Sequence, residues 1–302
     1  MRALDDLSAL APAVPATGDA PFEPPYTLTR PTGAAATPFL FASPHSGSLY
    51  PAGMLEALCV PLMDLRRTED AFVEELFAGA PAAGGVLMAA RYGRSVADLN
   101  RDPRELDPAM FEGAPPRACG MPTARVEAGL GCLPRVAARG ETIYARLLTR
   151  EEGEERLVHI HDAYHSALGE ELIALREAHG VAVLIDCHSM PSVQPGRRGL
   201  ADIVLGDRFG SSCDPRLTAR AEREFRAIGL TVARNAPYAG GYTTRRYGRP
   251  KRGVHALQIE INRGLYMNEQ EVSRLAAFSG LQDGINRVIA GLADAATQLR
   301  RA

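Results

Sequence analysis

Val181-Ala182-Val183-Leu184-Ile185-Asp186-Cys187-His188-Ser189-Met190-Pro191 is a run of five aliphatic residues that passes abruptly into an acid and a histidine. Such a run, led by valine and isoleucine, reads as a strand buried on both faces by covering helices. The acid and histidine then fall at its carboxyl end, where open α/β sheets bind their ligands. Side chains alternate along a strand, so Asp186 and His188 share a face, roughly 6.6 Å apart, while Cys187 enters the opposite layer. One carboxylate and one imidazole open onto the same space.

Working outward, the 302 residues suffice for a full core, and the formal net charge of -2 with dispersed basic residues gives no footprint for nucleic acid. Lys251 is the only lysine; the other basic residues are arginines, permanently charged forks suited to carboxylates. Cys59, Cys119, Cys132, Cys187 and Cys213 are odd in number and form no C-x-x-C pair, so neither a disulfide framework nor a thiolate metal site is expected. A reducing cytoplasm is the simplest setting. The opening Met1-Arg2-Ala3-Leu4-Asp5-Asp6 lacks the charge pattern of a signal peptide, and no apolar run reaches membrane-spanning length.

Residues 1–36, rich in Ala, Pro and Thr without periodicity, read as an extended N-terminal arm, and 37–302 as a single catalytic domain. Pro38 to Ser43 is a short apolar strand, broken by Pro44-His45-Ser46-Gly47, so His45 also follows a strand. The spacing predicts a helix over Leu62–Ala78, with Leu65, Phe72, Leu76 and Phe77 on one face and Glu69 and Asp70 about 100° apart. Gly85–Ala90 is the next strand, leading to an arginine-crowded segment ending in Asp98-Leu99-Asn100-Arg101. From about Asp102 to Gly140 the chain is full of Pro and Gly yet holds apolar residues, as an ordered excursion would. Glu141 to His179 is expected to be mainly helical. A strand over Ala201–Gly206, a helix over Pro215–Ile228 and a Gly, Tyr and Arg-rich loop over Asn235–Gly253 follow. Val254–Asn262 alternates strictly, with Leu257, Ile259 and Ile261 on one face and Gln258, Glu260 and Asn262 on the other, and a last helix closes near Leu299. Strands and helices alternating throughout imply a three-layer α/β/α sandwich with a mixed, mostly parallel central sheet.

Two histidines after two strands, with an acid, match the nitrogen and oxygen ligand set of a catalytic zinc site, which leaves one position for water. Such a set requires the ring nitrogens of His45 and His188 within about 6 Å of each other, given bonds of ~2 Å. Glu260, flanked by aliphatic neighbours, is placed for a raised pKa and a general-base role. His161 and His165, four apart on a helix, form a rival metal pair, with Asp162 where zinc proteases carry Glu.

Ser43-Pro44-His45-Ser46-Gly47, Glu69-Asp70-Ala71-Phe72-Val73, Arg94-Ser95 with Asp98-Leu99-Asn100-Arg101, Asp186-Cys187-His188-Ser189-Met190, and Gly240-Gly241-Tyr242-Thr243 with Gln258-Ile259-Glu260-Ile261-Asn262-Arg263 stand in an order that resembles the N-formylglutamate amidohydrolase family. That family is similar to the zinc carboxypeptidase and aspartoacylase group, which implies a carboxypeptidase-like sheet of eight strands. The resemblance implies one Zn2+ held by His45, an acid and His188, with Glu260 as base and then proton donor. Arg94 would polarise the scissile carbonyl, and Asn100 and Arg101 would hold the α-carboxylate of a small N-acyl amino acid. Carboxypeptidases place the acidic ligand three residues after the first histidine, where this chain has Ser48. Asp70 therefore ranks first as the acid, Glu69 second and Asp186 third. A substrate with two carboxylates needs a second cation, for which Arg245 or Arg246 stand in the Gly-Tyr loop. The implied reaction is hydrolysis of N-formylglutamate to formate and glutamate. A sibling hydrolase of another N-acyl amino acid or small peptide, and a silent ligand-binding protein on the same scaffold, are the alternatives.

Overall fold

The computed structural model describes residues 23–31, 36–194, 196 and 199–299, with side chains described through 293. Its centre is a seven-stranded mixed sheet: β1 (Tyr26–Thr29), β2 (Phe39–Ser43), β3 (Val86–Ala90), β4 (Ala182–Met190), β5 (Ile203–Gly206), β6 (Val232–Arg234) and β7 (Val254–Asn262), in the order β1-β3-β2-β4-β7-β5-β6. Strands β3, β2, β4 and β7 run parallel, whereas β1 and the β5–β6 pair run against their neighbours. The expected eight strands are seven among the described residues. Met267–Asn268 and Ser273–Arg274 form a separate two-stranded ribbon. Of the expected N-terminal arm, Tyr26–Thr29 pairs on β3 as the edge strand, and residues 1–22 and 32–35 lie outside the described residues.

Side-chain alternation divides the core into two layers. Leu40, Ala42, Met88, Ala182, Leu184 and Ala256 pack on one face beneath the long helix Ala163–His179. Phe39, Phe41, Val183, Ile185, Leu257, Ile259 and Ile261 pack on the other, beneath Pro215–Ala227 and Phe278–Leu299. Each large side chain buried here contributes about 1.5–3 kcal/mol of hydrophobic stabilisation. The first face changes character midway along its central strands. Beyond Leu184 and Ala256 it presents Asp186, His188, Gln258 and Glu260, and the register sets Asp186 against Gln258 and His188 against Glu260. β4 is longer than expected and continues past His188 to Met190, so the polar residues occupy its last half.

Three stretches differ from expectation. Leu62–Ala78 is not one helix: α1 (Leu62–Arg66) and α2 (Val73–Leu76) are separated by a turn in which Phe72 takes a left-handed φ of 68°. In Glu141–Leu148 the apolar residues are extended, bridging Leu58, Val136 and Phe111, and helix α3 (Arg150–Arg156) starts only where Thr149 and Glu152 form a reciprocal cap. α3 continues through a π-helical turn, Leu157–Asp162, into Ala163–His179, here α4. The loop Asn235–Gly253 contains a short helix, α5 (Tyr242–Tyr247).

Candidate metal centre and active site

The carboxyl ends of the four parallel strands converge on one edge of the sheet. β2 delivers His45, β3 leads to Arg94 and Asp98, β4 carries His188 and β7 carries Glu260. The His45 turn is pinned by Gly47, where a Cβ would fall 2.4 Å from the carbonyl carbon of Arg91, so only glycine lets the two segments cross. Asp70 enters through the break between α1 and α2, its backbone N–H donating to the His45 carbonyl at 2.9 Å. A continuous helix would have turned it elsewhere.

His45, Asp70 and His188 are buried, and one ligand atom from each lies within 4.8 Å of the others. Asp70 Oδ2 is 3.3 Å from His45 Nδ1 and 3.1 Å from His188 Nδ1. Its other oxygen, Oδ1, accepts from Arg263 Nη2 at 2.9 Å and Ser189 Oγ at 3.2 Å. On the far side of each ring stands another carboxylate. His45 Nε2 donates to Asp98 Oδ1 at 2.7 Å, and His188 Nε2 makes an ionic contact of 3.0 Å with Asp186 Oδ1. Asp186 is fully buried and has no aligned hydrogen bond among the described residues. Its charge calls for the proton on His188 Nε2, just as Asp98 calls for the proton on His45 Nε2. Two Nδ1 lone pairs and Asp70 Oδ2 then point at one another. Three acceptors facing a shared point need a cation, and this N2O set could hold a metal ion.

The titration directions agree. Burial opposes ionisation of Asp70, but His188, His45 and Arg263 outweigh it and hold its carboxyl well below the ordinary range. Burial likewise opposes charge on His188, yet Asp186 and Asp70 raise its pKa well above the usual imidazole value. Bound metal would replace those protons, as expected for ligands that must be deprotonated. Glu260, beside His188, is pushed up to about 8 by burial, with His188 pulling the other way. Gln258 orients it, donating from Nε2 to Glu260 Oε1 at 2.7 Å while its Oε1 accepts from Gly241 N–H at 2.8 Å.

Glu69 and Asp186, the other candidate acids, do not face the Nδ1 atoms. Glu69 accepts from Tyr50 Oη at 2.6 Å and lies 3.5 Å from Arg66 Nε. Asp186 stands on the Nε2 side of His188. Arg94 lines the cavity with Nη2 2.7 Å from Asp98 Oδ2. Asn100 Oδ1 accepts from Thr243 N–H at 2.9 Å, which leaves its donor Nδ2 3.1 Å from His188 Nε2, a contact that is no hydrogen bond while that nitrogen keeps its proton for Asp186. Arg101 lines the cavity too, donating to the carbonyls of Leu130 and Asn100. Arg245 stands apart, half exposed, 3.9 Å from Asp102 and outside the cavity lining, and Arg246 stacks on Tyr242 and Tyr247. His161 and His165, rings 4.5 Å apart, direct Nε2 at the carbonyls of Arg101 and Leu99. They brace the 98–101 segment, and burial holds His165 well below its usual pKa, in the neutral form.

Asp98, Arg263, Ser189 and Gln258 carry roles that residue type alone did not reveal, although each lies within a quoted motif. All face a cavity of about 740 Å³, part of whose wall comes from the 102–140 excursion. That volume suits a small amino-acid derivative. Among the described residues, no helix is long and apolar enough to cross a membrane.

Comparison with known proteins gives a consistent picture. The family model for N-formylglutamate amidohydrolases matches residues 37–267. The N-formylglutamate deformylase of Pseudomonas aeruginosa is 33% identical over 240 residues, covering 77% of this chain and 83% of that protein. That of Pseudomonas putida is 34% identical over 242 residues, covering 78% and 83%. A crystal structure of N-formylglutamate amidohydrolase from Ralstonia eutropha superposes with a TM-score of 0.86 at 36% identity, covering 91% of this chain and 99% of that one. The gene product Atu2144 of Agrobacterium tumefaciens, at 21% identity and a TM-score of 0.56 over 89% and 96%, shares the fold.

Proposed function

Since the chain belongs to the N-formylglutamate amidohydrolase family and is an amide hydrolase, we propose that it cleaves N-formylglutamate to formate and glutamate, with zinc held by His45, Asp70 and His188. The observation that carries the reading is the convergence of two imidazole Nδ1 atoms and Asp70 Oδ2 beside a buried Glu260. A zinc ion, when bound, supplies Lewis acidity, bringing a water's pKa from 15.7 to roughly 7.

The chain's own residues do the rest. Glu260, desolvated and aimed by Gln258, takes the proton of the attacking water and later delivers it to the leaving amide nitrogen. Arg94, held by Asp98, offers its remaining N–H groups to the carbonyl oxygen as negative charge develops there. Arg101 holds the substrate's α-carboxylate, with the Asn100 amide beside it. Asp98 and Asp186 fix the imidazole orientation from behind. Arg245 adds positive charge near the entrance. The five unpaired cysteines support a reducing, cytoplasmic setting.

Release of the free amino acid by the zinc-loaded protein, measured with N-formylglutamate, N-formylaspartate and N-acetylglutamate, tests this reading. The highest kcat/KM is expected for N-formylglutamate. A higher value for another acyl amino acid transfers the activity to a sibling substrate, and no turnover on any leaves a silent binding protein.

A further inference from the structure

The cavity entrance carries more positive charge than its acids neutralise. Asp98 is shared between Arg94 at 2.7 Å and Arg101 at 3.9 Å. Asp102 is shared between Arg104 at 3.1 Å and Arg245 at 3.9 Å. Arg125 lines the same cavity, and among the described residues its guanidinium has neither an ion pair nor a hydrogen bond. Nor is it loosely attached. It lies in the short helix Ala124–Glu127, capped by Thr123 and closed by Gly129 at a φ of 78°. The Arg125 carbonyl accepts from Leu130 N–H at 2.7 Å, and the Leu130 carbonyl accepts from Arg101 Nε at 3.2 Å. A single residue thus couples the two arginine-bearing segments and keeps both guanidinium groups on one wall.

Arg125 is exposed to water, and Glu105 and Asp98 act on it only at a distance, so its guanidinium is open to a carboxylate that enters the cavity. Partial burial, then Arg101, lower the Arg125 pKa, with Glu105 and Asp98 pulling the other way. We propose that Arg125 binds the second carboxylate of the substrate, beside the Arg101 that takes the first. The inference rests on the diacid reading above and supplies the second cation that Arg245, outside the cavity lining, does not. It makes the 102–140 excursion the part of the chain that selects acidic acyl amino acids. Against a neutral side chain Arg125 has no carboxylate to meet and keeps its water, so discrimination arises from the attraction itself.

The test is calorimetric titration of zinc-loaded wild type, R125Q and R125K with glutarate, a five-carbon diacid without a scissile bond, and with butyrate, its monoacid counterpart. R125Q is expected to weaken glutarate about 10- to 100-fold and leave butyrate unchanged, with R125K retaining most of the wild-type affinity. In turnover, R125Q should raise KM for N-formylglutamate by a similar factor with kcat little changed, and leave KM for N-formylglutamine alone. Equal glutarate affinity in wild type and R125Q, including no measurable binding by either, overturns the proposal, as does a parallel loss of butyrate. If the glutarate difference holds while wild type fails to hydrolyse N-formylglutamate, the cationic subsite stands and the substrate reading falls.

Discussion

Glu260 and Asp70 are both buried carboxyls within one cavity, yet their surroundings push them in opposite directions. Asp70 is surrounded by two imidazoles and Arg263, so it stays ionised and can serve as a ligand; Glu260, desolvated, rises to about 8 and is poised to exchange protons. E260Q is expected to retain the metal at wild-type stoichiometry while kcat falls about 10²- to 10⁴-fold; substantial turnover by that variant would remove Glu260 from the chemistry. A different carboxyl tests the role of burial in stability. Glu74 rises from 4.5 to about 7, chiefly through burial, and its Oε2 has no hydrogen-bond partner among the described residues. A raised folded-state pKa means the stabilisation is complete below pH 4.5 and is lost as pH climbs through 7. E74Q, which stays neutral, should gain on wild type by about 2 kcal/mol between pH 5 and pH 8 in urea denaturation. A pH-independent difference would show that Glu74 is solvated.

At the scale of elements, strand patterns carried the fold and local breaks carried the site. The alternation in Val254–Asn262 and the apolar run before Asp186 were legible because strand periodicity decides which side chain faces which layer. Leu62–Ala78 misled because its apolar spacing suits a helix, whereas the docking of Asp70 N–H on the His45 carbonyl forces a left-handed Phe72 and ends the helix early. Glu141–Leu148 misled similarly: Ile143 and Leu148 are buried, as their pattern suggests, but in extended chain. The partners of Asp98 and Asn100 were not legible, since His45, His188 and Thr243 lie after β2, on β4 and in α5, far away in sequence. The Gly240-Gly241 pair has a physical reason that the structure supplies. A Cβ at Gly241 would fall 2.4 Å from the Asn100 amide, which must reach past it to Thr243 and His188. G241A should therefore displace Asn100, lowering kcat/KM at least 10-fold with a loss of no more than about 1–3 kcal/mol in stability. Unchanged kinetics would separate Asn100 from the working geometry.

For the whole molecule, the topology explains why one edge holds all the chemistry. Four parallel strands end together, and β5, running the other way beside β7, leaves that edge to the loops that carry arginines. The same chain offers a second pair, His161 and His165, but their Nε2 atoms are directed at backbone carbonyls, so they serve the 98–101 segment and leave metal binding to the first site. That division of labour is the central claim, and anomalous diffraction at the zinc edge from crystals of the zinc-loaded protein tests it most directly. The account predicts one strong peak within about 2.0–2.2 Å of His45 Nδ1, His188 Nδ1 and a carboxylate oxygen of Asp70. A peak at His161 and His165, or no peak among His45, Asp70 and His188, would contradict it.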